Sequence, residues 1–208
     1  MGGSDQPEGI TDARHIEQSL SSPAAFAVLF ERHARSVHGY LVKRVGPENA
    51  EDLLGETFAI AFRSRANYDL SRNDARPWLF GIATNHVRHF WRSEYRRRSR
   101  TLVGLGDVTV PDHGDDATSS AFFSSQEGAV ARALAQLDDA HLDVVLLVAG
   151  PGFTYEEVSV ALGIPIGTVR SRMFRARQRL RDLLGGSGQY LDSEPPTEEI
   201  PIGVKGNE

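Results

Sequence analysis

The chain of 208 residues contains no cysteine. That excludes a disulfide framework and a zinc-thiolate site. No apolar run approaches the ~20 residues needed to cross a bilayer; Val144 to Ala149 reads as a core helix segment. The N-terminus lacks the pattern of a signal peptide, and no internal repeat is evident. A soluble, cytoplasmic protein is expected. Scarcity is also local. Thr101 to Ala131 has no lysine or arginine but carries Asp107, Asp112, Asp115, Asp116 and Glu127. The net charge of −5 argues on its face against a nucleic-acid binder. It is an average over segregated blocks, because Arg88 to Arg100 holds six arginines against Glu94 and a later helix holds six more.

That later helix spans Pro165 to Leu184. At about 100° per residue, Ile166, Val169, Met173, Ala176, Leu180, Leu183 and Leu184 form a core-facing stripe. Arg170, Arg177 and Arg181 edge it on one flank, and Arg172, Arg175 and Arg179 on the other. Ser171, Phe174 and Gln178 lie between the two rows, opposite the core. No acid occurs in the run before Asp182, so helical ion pairing does not account for the charge. A ring turned away from the core gains nothing in an isolated domain. Cationic rows suit phosphates on both walls of a major groove, and the lane between them suits base edges.

The preceding residues sharpen this reading. Thr154-Tyr155-Glu156-Glu157 is a capping box. It opens a short helix, Tyr155 to Leu162, which Gly163 closes before Ile164-Pro165 starts the next. Two helices around so brief a break make a helix-turn-helix with the second helix as reader.

Elsewhere the chain reads as helices separated by short breaks. Met1 to Ser21 is expected to be mostly disordered. Ser22-Pro23 starts a helix to about Arg44 that buries Phe26, Leu29, Phe30, Val37, Tyr40 and Leu41. A second helix, about Pro47 to Ala66, gathers Leu53, Leu54, Phe58, Ile60 and Ala61 on one side. Its other side is acidic, with Glu48, Asp52 and Glu56, and Glu51 at the margin. The helix dipole accounts for acids in the first turns, less well for Glu56; docking to a basic protein is the other account. After a polar loop, Asn67 to Arg76, Asp74 caps a third helix running to about Arg98. Leu79, Ile82, Ala83, His86 and Phe90 face inward, whereas Trp78, Asn85, Arg88, His89, Arg92 and Arg96 share the opposite side. Rings stack on unpaired bases and cations follow the backbone, so this face suits single-stranded DNA. A partly buried core position is the alternative for Trp78.

His86 and His89 stand three apart on the same helix, but no carboxylate joins them at ligand spacing, so structural histidines are expected and no metal or cofactor. Arg100 to Ser124 reads as a linker. Ser124-Ser125-Gln126-Glu127 is a second capping box, opening a helix to Leu137, and Asp138 caps another that carries Leu142, Val145, Leu146 and Val148. From Gly185 onward the chain is Gly-, Pro- and Glu-rich, an expected flexible acidic tail.

On these motifs the chain resembles a bacterial sigma factor of the extracytoplasmic-function (ECF) type, within the sigma-70 family. Ala50-Glu51-Asp52-Leu53-Leu54-Gly55-Glu56-Thr57-Phe58 looks like the region 2.2 signature, and Arg76-Pro77-Trp78-Leu79-Phe80-Gly81-Ile82-Ala83-Thr84-Asn85 like regions 2.3 to 2.4. Thr154 to Val158, Gly167 to Arg172 and Arg175-Ala176-Arg177 look like region 4.2. The resemblance implies an all-α fold of two small helical domains joined by a flexible acidic linker. The implied boundaries are a disordered stretch at 1–21, a sigma2 domain at 22–99, the linker at 100–124, a sigma4 domain at 125–184 and the tail at 185–208.

It further implies a non-enzymatic subunit of RNA polymerase. Glu48, Glu51, Asp52 and Glu56 would dock on the β′ clamp helices of the core enzyme. Trp78, Asn85, Arg88, His89, Arg92 and Arg96, with the preceding loop, would melt and read the −10 element. Sigma4 would sit on the β flap and meet the −35 element through Thr168, Arg170, Ser171, Arg172, Phe174, Arg175, Arg177 and Gln178. The linker would run through the polymerase's RNA channels, and an anti-sigma factor is a further implied partner. The elements, about 25 base pairs apart, lie roughly 85 Å apart, within the ~90 Å reach of a linker of about 27 residues.

Two positions depart from the family pattern. Gly55 stands where glutamine is usual, which removes one clamp contact, and Leu137-Asp138 replaces Leu-Pro, exchanging one helix-start device for another. Two other classes were weighed. A helix-turn-helix regulator of duplex DNA would not need the Trp78 face or the acidic helix. A metal-dependent nuclease would need carboxylates clustered near His86 and His89.

Overall fold

The computed structural model describes residues 10–102 and 126–185. Among these the chain is helical, with no strand: α1 (Asp12–Ser21), α2 (Ala27–Val45), α3 (Pro47–Ser64), α4 (Arg76–Leu102), α5 (Gln126–Ala135), α6 (Asp139–Ala149), α7 (Tyr155–Leu162) and α8 (Ile166–Leu183). Single 3₁₀ turns cover Pro23–Phe26 and Arg65–Asn67. The linker expected at 100–124 and the tail at 185–208 lie outside the described residues, except that 100–102 belong to α4 and Gly185 follows α8.

The first domain is built on α2, α3 and α4, which pack on one another. Helical spacing brings Leu29, Val37, Tyr40 and Leu41 of α2 against Leu53, Phe58 and Ala61 of α3 and Leu79, Ala83 and Val87 of α4, all of them buried. Phe30, expected in this core, is 46% exposed. The 3₁₀ turn delays α2 to Ala27, and the face centred on Leu29, His33 and Val37 leaves Phe30 at its rim, edge-on to Phe58. In the second domain, Val144 and Leu147 of α6, Val158 of α7 and Val169, Met173 and Leu180 of α8 make the core.

The expectation of disorder up to Ser21 is corrected by α1. Thr11 caps it by accepting the Arg14 N–H, and Ala13 and Ile16 are buried. Asp12 fixes the helix to the loop before α4. Its N–H donates to the Asn73 carbonyl at 3.1 Å, and its Oδ2 accepts the Ala75 N–H at 3.1 Å. Arg32 donates to Oδ1 at 3.0 Å, and His33 Nε2 lies 2.7 Å from Oδ2. Burial pushes the Asp12 carboxyl up, but the hydrogen bonds from His33, Ala75 and Arg32 and the charge of His33 outweigh it and hold the carboxyl at about 2. Sequence neighbours could not reveal this helix, since its partners lie some 20 and 60 positions away.

The two domains do not stand apart. α4 packs along α7, with Gly81 at the crossing. A Cβ at Gly81 would lie 2.5 Å from the Ala161 carbonyl oxygen and 3.3 Å from its carbon, so only glycine permits the approach. One residue earlier, Phe80 meets Tyr40 in its own domain and Phe153 in the other, with ring centroids 5.4 and 5.2 Å apart. Phe80 and Phe153 are both buried to within 1%. An apolar contact of this kind, closed by edge-to-face rings, stabilises the joined form.

Two consequences are measurable. Asp12→Ala leaves the buried Ala75 N–H unpaired and is expected to cost about 2–3 kcal/mol in urea denaturation. Because the folded carboxyl sits below its ordinary value, its contribution is complete above about pH 4 and fades as pH falls towards 2. The gap between wild type and variant is therefore expected to narrow over that window; a gap independent of pH there contradicts the assignment. Separately, Gly81→Ala is expected to part α4 from α7. The radius of gyration from small-angle scattering should rise while helical circular dichroism is kept, and an unchanged radius contradicts the close approach.

Candidate nucleic-acid interface

The second domain builds its surface from the turn between α7 and α8. Thr154 Oγ1 accepts the Glu157 N–H at 3.2 Å and Glu157 Oε2 accepts the Thr154 N–H at 2.8 Å, so the capping box is formed in both directions. Gly163 takes the left-handed conformation at φ 62°. The Ile164 N–H donates to the Ser159 carbonyl at 3.1 Å, and the Ser159 hydroxyl donates to the Ile164 carbonyl at 2.6 Å. These bonds fix the angle at which α8 leaves the turn, and Pro165 supplies the carbonyl that starts it.

On α8, Val169, Met173, Ala176 and Leu180 are buried against α6 and α7, while Ile166, Leu183 and Leu184 are half-buried at the ends of the stripe. The opposite lane is open. Ser171 and Gln178 are exposed, and Phe174 is 61% exposed, the most exposed large apolar side chain among the described residues. Arg170 and Arg175 are exposed beside it; Thr168, Arg172 and Arg177 are half-buried at the flanks. Ser171, Phe174, Gln178, Arg170 and Arg175 are thus exposed together on the side of α8 away from its buried stripe.

The α4 face is assembled differently from the expectation. Asn85, His89, Arg92 and Arg96 are exposed along the helix. Trp78 is half-buried, its ring 5.0 Å from that of Tyr68 in the preceding loop. Tyr68 itself is buried, and its hydroxyl donates to the carbonyls of Arg72 and Asp74 at 2.7 and 3.1 Å. Trp78 is therefore both a packed ring and a partly open one. Asp74 accepts the Arg76 N–H at 2.9 Å, which sets the start of α4. Arg88 is half-buried as well, and it reaches across to the second domain. Its Nε and Nη2 donate to Asp143 Oδ2 of α6 at 3.0 and 2.7 Å.

Asp143 and Arg44 carry weight in this region that sequence reading did not assign. Asp143 is fully buried and Arg44 Nη2 lies 2.9 Å from its Oδ1. One signal was available: Asp143 is the single charge in the apolar run Leu142 to Ala149, and such a charge requires a partner.

The acidic side of α3 is exposed at Glu48, Glu51, Asp52 and Glu56. Gly55 opens onto space, with nothing within 4 Å of where a Cβ would stand. A carboxylate from outside α4 does stand beside one of its histidines, with Glu56 Oε2 2.7 Å from His86 Nε2. The two come from different helices, which a spacing rule on one helix does not detect. No group of three or more potential metal ligands occurs among the described residues. No described helix is long and apolar enough to cross a membrane.

Comparison with known proteins agrees with this geometry. Residues 29–97 match sigma-70 region 2 and residues 133–182 match sigma-70 region 4. The chain is 34% identical over 167 residues to the RNA polymerase sigma factor CarQ of Myxococcus xanthus, covering 77% of this chain and 90% of that protein. It is 35% identical over 185 residues to the ECF RNA polymerase sigma factor SigE of Mycolicibacterium smegmatis, covering 87% and 69%. Among solved structures it is similar to CnrH in complex with the cytosolic domain of CnrY, at 25% identity and a TM-score of 0.61 over 85% of this chain and 98% of that one. RpoE in complex with the anti-sigma factor NepR from Bartonella quintana gives a TM-score of 0.56 at 25% identity, over 78% and 98%.

Proposed function

The chain belongs to the ECF branch of the sigma-70 family and is an RNA polymerase sigma factor, and from that premise we propose how its surfaces divide the work of initiation. The exposed lane of α8 reads the −35 element. Ser171, Phe174 and Gln178 meet base edges, and Arg170, Arg172, Arg175 and Arg177, with Thr168, hold the phosphates and the near bases on either side. The observation that carries this is Phe174, the one ring of α8, held 61% exposed while Val169, Met173, Ala176 and Leu180 of the same helix are buried. A methyl- or ring-bearing contact to thymine gives such a side chain a purpose in the groove.

The α4 face takes the −10 element as single-stranded DNA. Trp78, its ring tilted against that of the buried Tyr68, offers its open side to an extruded base, and Asn85, His89, Arg92 and Arg96 follow the strand. Arg88 joins them once it is released from Asp143. Glu48, Glu51, Asp52 and Glu56 dock on the β′ clamp helices of core polymerase, and the open ground at Gly55 leaves this contact one side chain short of the family pattern. The second domain rests on the β flap. The chain does no covalent chemistry of its own; the core enzyme makes the RNA. Its site of action is the cytoplasm. The similar proteins CnrH, bound to the cytosolic domain of CnrY, and RpoE, bound to the anti-sigma factor NepR, support an anti-sigma factor as a further partner.

Purified chain added to core polymerase is expected to yield run-off transcripts from a subset of genomic fragments, and the absence of any promoter-dependent transcript counts against the whole reading. Within it, Arg170→Ala is expected to cost about 1–3 kcal/mol at one −35 base pair and relax the preference there. A loss spread evenly over all −35 sequences would move Arg170 from the bases to the phosphates.

A further inference from the structure

The contact between the domains contains a cluster with a chemistry of its own. Arg44 ends α2 and Arg88 lies midway along α4, so both belong to the first domain. Their guanidinium groups converge on one carboxylate, Asp143 of the second domain, with Arg44 on Oδ1 at 2.9 Å and Arg88 on Oδ2 at 2.7 Å. Arg44 also reaches Asp139 of the same helix at 3.4 Å. Both guanidiniums thus pair with carboxylates of α6. The Arg44 side chain is 2% exposed, and its Nε is buried without a hydrogen-bond partner.

The first domain fixes the backbones from which the two arginines extend. One turn before each, the Tyr40 and Thr84 hydroxyls lie 2.8 Å apart and tie α2 to α4. The Trp91 indole N–H donates to the Arg44 carbonyl at 3.3 Å. Departure of the second domain therefore bares two guanidiniums at one point, where α2 and α4 are tied together. That point lies on the helix that presents Asn85, His89 and Arg92, each within one turn of Arg88. A phosphodiester carries the same single charge as a carboxylate and offers the same pair of anionic oxygens, and guanidinium forks bind both.

We infer that Arg44 and Arg88 form a binding site for a backbone phosphate of the promoter DNA, and that Asp143 fills this site whenever the two domains are closed. This rests on the assignment of α4 to the −10 element. The elements of a promoter lie roughly 85 Å apart, whereas α7, which adjoins α8, packs on α4 in the closed chain. Both surfaces cannot engage until the contact opens. Burial pushes the Asp143 carboxyl up, and the two guanidinium charges pull it back only in part. A cluster so desolvated adds little net stability to closure, while it makes closure and phosphate binding mutually exclusive.

The test uses the full chain and a labelled single-stranded oligonucleotide read by fluorescence anisotropy. Asp143→Asn removes the competing charge and keeps the volume, and Gly81→Ala opens the contact by steric means alone. Each is expected to tighten binding about tenfold, as the open fraction rises from roughly a tenth towards one. In the Asp143→Asn background, Arg44→Gln should lower the slope of log K against log salt by about 0.7, one phosphate contact on a single strand. Arg44→Lys should keep that slope, and Arg88→Gln serves if the Arg44 variant fails to fold by circular dichroism. Unchanged affinity in both opened variants, or an unchanged salt slope on removing either arginine, overturns the inference. Run-off transcription with core polymerase separates the failures. Active chains with unaltered oligonucleotide binding reject this site alone, and inactivity of the wild type rejects the reading beneath it.

Discussion

The approach of α4 to α7 at Gly81 is the constraint from which the rest of the molecule takes its arrangement. A helix can come this near to another only where a side chain is missing, and here the missing Cβ would strike a backbone carbonyl. Once the backbones touch, Phe80 reaches Phe153 and Arg88 reaches Asp143. Arg88, one of the six side chains that α4 would offer to DNA, is then spent on the protein's own second domain. The exposed members, Asn85, His89, Arg92 and Arg96, lie on the remaining side.

This gives α4 three duties that pull on its sequence in different ways. Leu79, Ala83 and Val87 must fill the first core, Phe80 and Gly81 must fit the second domain, and the polar side must serve a nucleic acid. A helix that serves all three has no clean apolar stripe. The buried ion cluster fits the same logic. Oppositely charged groups taken from water add little net stability, but they define one register and penalise others. Arg44 and Arg88 with Asp143 thus fix how the domains meet more than how firmly they hold.

How much was legible in the sequence follows from the range of the interactions. The helix-turn-helix was readable almost residue by residue, since Thr154, Glu157 and Gly163 act within a few positions of themselves. Asp138 was likewise readable as a cap, and it accepts the His141 N–H as a cap should. The stripe and lane of α8 needed only a helical period. By contrast, α1 is held by Arg32, His33 and Ala75, the domain contact by Gly81 against Ala161, and the ion cluster by residues 55 and about 100 positions apart. No local pattern encodes such pairings. One oddity did carry a trace of them, the single acid in an apolar helix, Asp143, whereas Gly81 has company in Gly39 and Gly55 inside other long helices.

The closed chain is expected to become an extended one when it joins core polymerase. The lack of native cysteine makes it directly measurable, because Ala66→Cys and Asp182→Cys, both at exposed positions, give two unique labelling sites on the two domains. Distances between spin labels at these sites should be short and narrowly distributed in the free protein. On addition of core enzyme they should lengthen towards the roughly 85 Å that separates promoter elements. The same distance distribution with and without polymerase would contradict the account.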